Sequence, residues 1–257
     1  MLKILSTIIT WCLAMHKSLL LSTVSLFAAL FFIVTEFTPG IPLYGLSAKS
    51  KIQVSIVLIP IYGLVLGPYL GALSTFLGVV LATLYPKPAS SVFSYMNIFS
   101  PTIGTLIVGI VSDSFLAKKT ITVIKTTIIF FIGMVSLWLI LPVGRMAFPF
   151  ILFHIFSFIL IILYFLFYEK YDCLKNTVFK ATILSLSGII TDHFIGSFNG
   201  LLFFSYIVGM KTKTLARIYI SAIPFIVIER TIMIMLATIF TASVIKLIPK
   251  SLYIRNK

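Results

Sequence analysis

The sequence predicts an all-α polytopic membrane bundle of about eight membrane segments. Three observations carry this. Sixty per cent of the 257 residues are hydrophobic (60%) and only 10% are charged. The mean hydropathy is +1.17. Apolar runs of roughly 18 residues or more, the length that spans a bilayer as a helix, recur along the whole chain. Strands of a membrane β-barrel would read as short alternating segments instead, and the sequence has none. Residues 1–257 therefore read as a single integral membrane domain.

Residues 1–17 are apolar between Lys3 and Lys17, too short to span alone, and read as an interfacial helix or an extension of the first span. The apolar run Ile4 to Met15 imitates a secretory signal, but no A-x-A site follows it before the next hydrophobic run. The first span, about 18–37, carries the small residues Ser18, Ser22, Ser25 and Ala29, and Glu36, Pro39 and Pro42 end it. Residues 56–86, IVLIPIYGLVLGPYLGALSTFLGVVLATLYP, hold two apolar runs that meet at Gly67-Pro68. A proline lacks the backbone donor and drives the preceding residue out of the helical region, so a helix ends there. The second span is about 52–66 and the third about 69–85. Gly71, Ser74, Gly78 and Ala82 line one face of the third, which lets another backbone come close.

The fourth span, about 99–116, opens on Pro101 and carries Gly104, Gly109 and Ser112. The fifth is about 123–141, and the sixth, about 149–168, is featureless apart from His154, which reads as an interface histidine. The charged loop EKYDCLKNTVFK leads to the seventh span, about 180–208, and MKTKTLAR to the eighth, about 218–247, with Pro224 inside it. An even number of crossings puts both termini on one side. Twelve Lys and Arg fall on that side and seven on the other, with Arg230 inside a span. The excess of basic residues marks the cytoplasmic face, so both termini are expected in the cytoplasm and the chain in the cell membrane. Six crossings give the same placement if two of the runs re-enter or merge.

The composition excludes several functions. The +14 charge is what cytoplasmic loops contribute, and no nucleic-acid partner is expected. Cys12 and Cys173 lack metal-site spacing, and both fall on the side where disulfides are rare. The sequence holds no Walker A motif, no H-E-x-x-H and no G-x-S-x-G. No catalytic residue, metal or cofactor is assigned, and the chain is not expected to be an enzyme.

Of six acidic residues, Glu36, Asp113, Glu169 and Asp172 fall near membrane edges, where water solvates them. Asp192 and Glu229 lie inside apolar runs beside His193 and Arg230. An ionised side chain at mid-bilayer costs a few kcal/mol, so it faces the interior of the bundle and takes a partner. If the last two spans are antiparallel neighbours, Asp192 and Arg230 fall at one depth and pair, while Glu229 points about 100° away towards a cavity. Two readings stay open: a pair that fixes helix register, and a solute pocket built from Asp192, His193, Asn199, Glu229 and Arg230, open to the outer side.

The run IPIYGLVLGPYLGALSTFLGVVLATL resembles the second and third helices of the substrate-binding S components of energy-coupling-factor (ECF) vitamin transporters. Gly63, Gly67, Pro68, Gly71, Ala72 and Gly78 match their G-x-x-x-G-P-x-x-G-A-x-x-x-x-x-G-like pattern, and PTIGTLIVGIVSDSF is similar to the fourth helix. The likeness covers about residues 18–117, leaving 118–257 for the remaining helices and the intramembrane charges. It implies a small-solute-binding membrane subunit without ATPase activity, closed on the outer side by loops that here are 38–51 and 86–98. It also implies a separate membrane coupling protein and two ATPase subunits as partners. Members dock through an A-x-x-x-A face on the first helix, for which Ser25 and Ala29 are the nearest equivalent here. The family has six helices, so this chain would be an enlarged member. The alternative is a stand-alone proton-coupled carrier or intramembrane enzyme that uses Asp192, His193 and Glu229; a third reading is a structural assembly protein.

Overall fold

In a computed structural model of the chain, the backbone is described for residues 2–38, 41–42, 51–85, 92–117 and 120–247, and side chains for 18–38, 53–85, 92–115 and 121–247. Helix α1 is Leu2–Phe37, so the apolar N-terminal segment continues the first span. A two-residue antiparallel pairing follows, β1 (Ile41–Pro42) with β2 (Lys51–Ile52). After a 3-10 turn at Val54–Leu58 comes α2, Ile59–Leu84. Then come α3 (Val92–Met96), α4 (Phe99–Ala117), α5 (Thr120–Ile140), α6 (Pro142–Met146) and α7 (Phe148–Tyr168). Helix α8 is Thr177–Leu202, prolonged by a π-helical turn at Phe203–Ile207, and α9 is Thr212–Leu247, continuous through Pro224. Of the two loops expected to close an outer site, residues 39–40, 43–50 and 86–91 lie outside the described residues.

The last helices pack as antiparallel neighbours. The Asn199 amide on α8 donates to the Met96 carbonyl at 2.9 Å, beside the start of α4. Deeper in, a Cβ on Gly104 of α4 would lie 2.8 Å from the Gly188 carbonyl oxygen. The Tyr219 hydroxyl at the start of α9 donates to the Ser197 carbonyl at 2.8 Å. Helix α7 runs against α8 as well: Lys180 sits 5.9 Å from the Tyr168 ring centroid at the end that also carries Cys173. One end of the bundle thus holds α3, α6 and the π-helical turn; the other holds Phe115, Tyr168 and Cys173.

Helix α2 folds back on itself. Gly67 has φ 78° and ψ −175°, a conformation that only glycine adopts without a Cβ clash, and Pro68 follows it. Residues nine apart in a straight helix are about 13.5 Å apart. Here a Cβ on Gly71 would stand 2.8 Å from the Tyr62 carbonyl oxygen, so the two arms meet beside the bend. The second arm runs antiparallel to α4: Pro68 lies against Gly109, Thr75 Oγ1 is 2.9 Å from Thr105 Oγ1, and the rings of Phe76 and Phe99 meet at 6.2 Å. It therefore returns to the α3 end, where the Tyr85 ring reaches Phe32 near the end of α1 at 5.4 Å. Because α1 finishes at the end from which α4 starts, α2 enters and leaves by that same end.

Among the described residues, seven helices are long and apolar enough to cross a membrane. Six of these run through the bundle, and α2 re-enters, its tip beside Gly109, about 15 Å into α4 from Phe99. Counting its two arms separately gives the eight segments that the sequence predicts.

Close backbone approach holds this arrangement. With lipid as the solvent, helices associate by packing rather than by escape from water, and small residues make the packing possible. A Cβ on Gly109 would lie 2.3 Å from the Pro68 Cα, and one on Gly78 would lie 2.7 Å from the Ala28 carbonyl oxygen. The rest of the α1 contact is Val24, Ala28 and Phe31, all buried, with the Tyr62 hydroxyl donating to the Phe27 carbonyl at 2.7 Å. At the α3 end, Trp138 stacks on Phe150 at 5.3 Å and donates its indole N–H to the Gly144 carbonyl at 2.9 Å, which fixes the corner from α5 through α6 to α7.

Valine at Gly109 meets backbone rather than a yielding side chain, so Gly109→Val is expected to destabilise the fold by about 1–3 kcal/mol or more. Gly133→Val, where a Cβ meets nothing within 4 Å, is the matched control and should be near neutral. Thermal unfolding of both in one detergent checks this.

Candidate functional site

Helix α8 presents an almost wholly buried surface from Ala181 to Ile195, and Asp192 lies near the middle of the 31-residue span Thr177–Ile207. Arg230 occupies the middle of α9. Its Nη1 is 3.6 Å from Asp192 Oδ2 and its Nη2 is 2.8 Å from Glu229 Oε1. Asp192 and Glu229 are each 7% exposed, so the three charges are withdrawn from lipid and from bulk water together. The depths inferred from helix rise therefore place Asp192 and Arg230 in register. The expectation that Glu229 points away to a cavity is corrected: the guanidinium folds back along its own helix and takes both carboxylates. A long side chain with five donors bridges the angle between neighbouring positions.

His193 turns towards α7 instead of joining this cluster. Its Nδ1 is 2.8 Å from His154 Nε2, and the two rings lie parallel at 5.0 Å. Its Nε2 is 3.5 Å from the Ser197 hydroxyl one turn farther along α8. His154 is fully buried, which corrects its reading as an interface histidine. It belongs to an interior row with Ile151, Phe158, Ile161 and Phe165, at alternating three- and four-residue steps. Phe150, Phe153 and Phe194 wall the pair with their rings, and Tyr219 packs edge-on against Phe150.

Asn199 is not part of either group. Seven residues beyond Asp192, about 10 Å along the helix, it ties α8 to the end of α3 through the Met96 carbonyl. Of the five residues predicted to share a pocket, Asp192, Glu229 and Arg230 come together, His193 joins His154, and Asn199 serves the α3 corner. Ser25 and Ala29, the expected docking pair, are both exposed on α1 beside the row that packs against α2. No group of three or more His, Cys, Asp or Glu able to hold a metal occurs among the described residues. Outside the spans, Asp172 and Lys175 form an exposed 2.7 Å pair beside Cys173; the lysine holds the Asp172 carboxyl below its usual range.

Fold and site together define a multi-pass helical membrane protein with an interior ion cluster at mid-depth. The chain is similar to an uncharacterized protein of Methanocaldococcus jannaschii, 28% identical over 222 residues that cover 82% of this chain and 66% of that protein. It thus spans just under two thirds of that relative's length. No family model matches the chain, and no solved structure does.

Removing one partner of a buried ion pair leaves a charge without its counter-ion, at about 3–5 kcal/mol. Arg230→Met is expected to destabilise by that order. The neutral triple variant Asp192→Asn, Glu229→Gln, Arg230→Met should recover most of the loss. Equilibrium unfolding of the set in mixed micelles measures both.

Proposed function

We propose that the protein is the substrate-binding membrane subunit of an ECF-type uptake transporter for a vitamin or other small solute, with no ATPase activity of its own. The observation that supports this best is the charged cluster Asp192–Arg230–Glu229, held at mid-depth on the interior faces of α8 and α9. Charges so placed are expensive to bury, and in membrane proteins they mark solute and ion sites. The hairpin of α2 agrees with the reading, because its glycine pattern is the part of the chain that resembles S components. Its arms also open towards the end that carries the loops expected to close an outer site. On this reading the α3 end faces outward, both termini are cytoplasmic as the basic residues suggest, and the exposed Ser25–Ala29 face of α1 is free to meet a coupling protein. The chain would then work with that coupling protein and two ATPase subunits in the plasma membrane.

A second reading is a stand-alone proton-coupled carrier. The direct contact between His154 and His193 favours it, since titratable groups linked inside a membrane form proton relays.

Thermal unfolding against a panel of vitamins and related solutes tests the first reading. A ligand present at 100 times its Kd should stabilise the protein by about 2.7 kcal/mol, and Asp192→Asn should abolish the shift. No response across the panel, together with no ATPase pair co-purifying from the native membrane, would overturn it. Solute uptake into liposomes under an imposed pH gradient, lost in His193→Phe, is the result expected from the carrier reading.

A further inference from the structure

We propose that the His154–His193 pair is a proton-loading site, reached from the α3 end through Ser197. The proposal rests on the carrier reading and names the residues that would hold the coupled proton.

The geometry carries it in three steps. First, the two imidazoles face each other with Nε2 of His154 and Nδ1 of His193 2.8 Å apart, a distance that requires one proton and one lone pair between them. Second, the far nitrogen of each ring differs. His193 Nε2 faces the Ser197 hydroxyl at 3.5 Å, and Ser197 is half-buried, one turn nearer the α3 end. His154 Nδ1 is buried and turned to the Phe150 carbonyl one turn back on its own helix. Third, a proton at this depth needs a counter-ion, and the neighbouring cluster holds one. Asp192 and Glu229 carry two carboxylates against the single guanidinium of Arg230.

Loading is then a two-bond exchange. With the pair neutral and His193 donating from Nδ1, a proton from water passes through the Ser197 hydroxyl to His193 Nε2. The Nδ1–H bond of His193 breaks as the Nε2–H bond of His154 forms. His193 ends neutral in its other tautomer, and His154 ends as an imidazolium protonated at both nitrogens. One proton enters, and no other atom is gained or lost. The charged or titratable groups around the pair are Asp192 from α8 and Tyr219, Glu229 and Arg230 from α9. The carboxylates favour the load and the guanidinium opposes it.

The chain has three histidines, of which His16 lies outside this region. Full-length protein labelled with nitrogen-15 histidine, carrying His16→Gln and held in lipid nanodiscs, gives signals from these two rings alone. The proposal predicts a coupling across the hydrogen bond between them. It also predicts that both rings change together as the pH is lowered, with one proton taken up by the pair. Ser197→Ala should slow that uptake without removing the coupling. Two rings that stay neutral throughout, or that titrate independently, would overturn the proposal. Uptake under a pH gradient alongside a silent pair would leave the carrier reading standing without this site. A pair that loads, without such uptake, would keep the site and remove the carrier.

Discussion

The structure depends on one backbone-to-backbone contact, Gly67-Pro68 against Gly109. A helical hairpin that turns inside a membrane leaves backbone groups unpaired at its bend, and such a bend is tolerated only where protein covers it. Here α4 supplies the cover. It can do so because position 109 has no side chain, and because Gly67 takes the positive φ that turns the chain within one residue. The remaining contacts follow from this seating. Ser112 on α4 points its hydroxyl towards the Gly63 carbonyl at 3.4 Å, Thr75 meets Thr105, and Gly78 receives α1.

A seated hairpin also explains why α4 and α8 stand so close. The face of α4 turned to α8 carries Gly104, and Gly188 answers with contacts to Val108 and to Ile59 of the hairpin's first arm. That brings α8 deep into the bundle, buried almost without a break from Ala181 to Ile195, and with it Asp192. Helix α9 lies mostly outside, yet it turns Glu229 and the reach of Arg230 inward. Scaffold and charge are thus successive layers, with the hairpin fixing α4, α4 fixing α8, and α8 holding the acid that α9 neutralises. The histidine pair sits beside it, where α7 meets α8.

Much of this was legible in the sequence. The break at Gly67-Pro68 follows from the two residues themselves, and the depth match of Asp192 with Arg230 follows from helix rise and loop position. His154 was not legible. Helix α7 is apolar on every side, so periodicity does not separate its lipid face from its interior face, and a single histidine in such a run has no visible partner. The direction of Glu229 failed for a related reason: the angle between successive helix positions describes Cβ atoms, and a guanidinium reaches past that angle. Re-entry of α2 and a full crossing look alike in the sequence, because an arm of about 15 apolar residues suits a short span and a half-span alike.

The central claim is that α2 enters and leaves by one face of the membrane. Single cysteines at Lys51 and Tyr85, in a chain with Cys12 and Cys173 replaced by serine, can be labelled in sealed vesicles with a membrane-impermeant thiol reagent. The structure predicts that both label from the same side, and that Cys173, restored alone, labels from the other. Labelling of Lys51→Cys and Tyr85→Cys from opposite sides would contradict it.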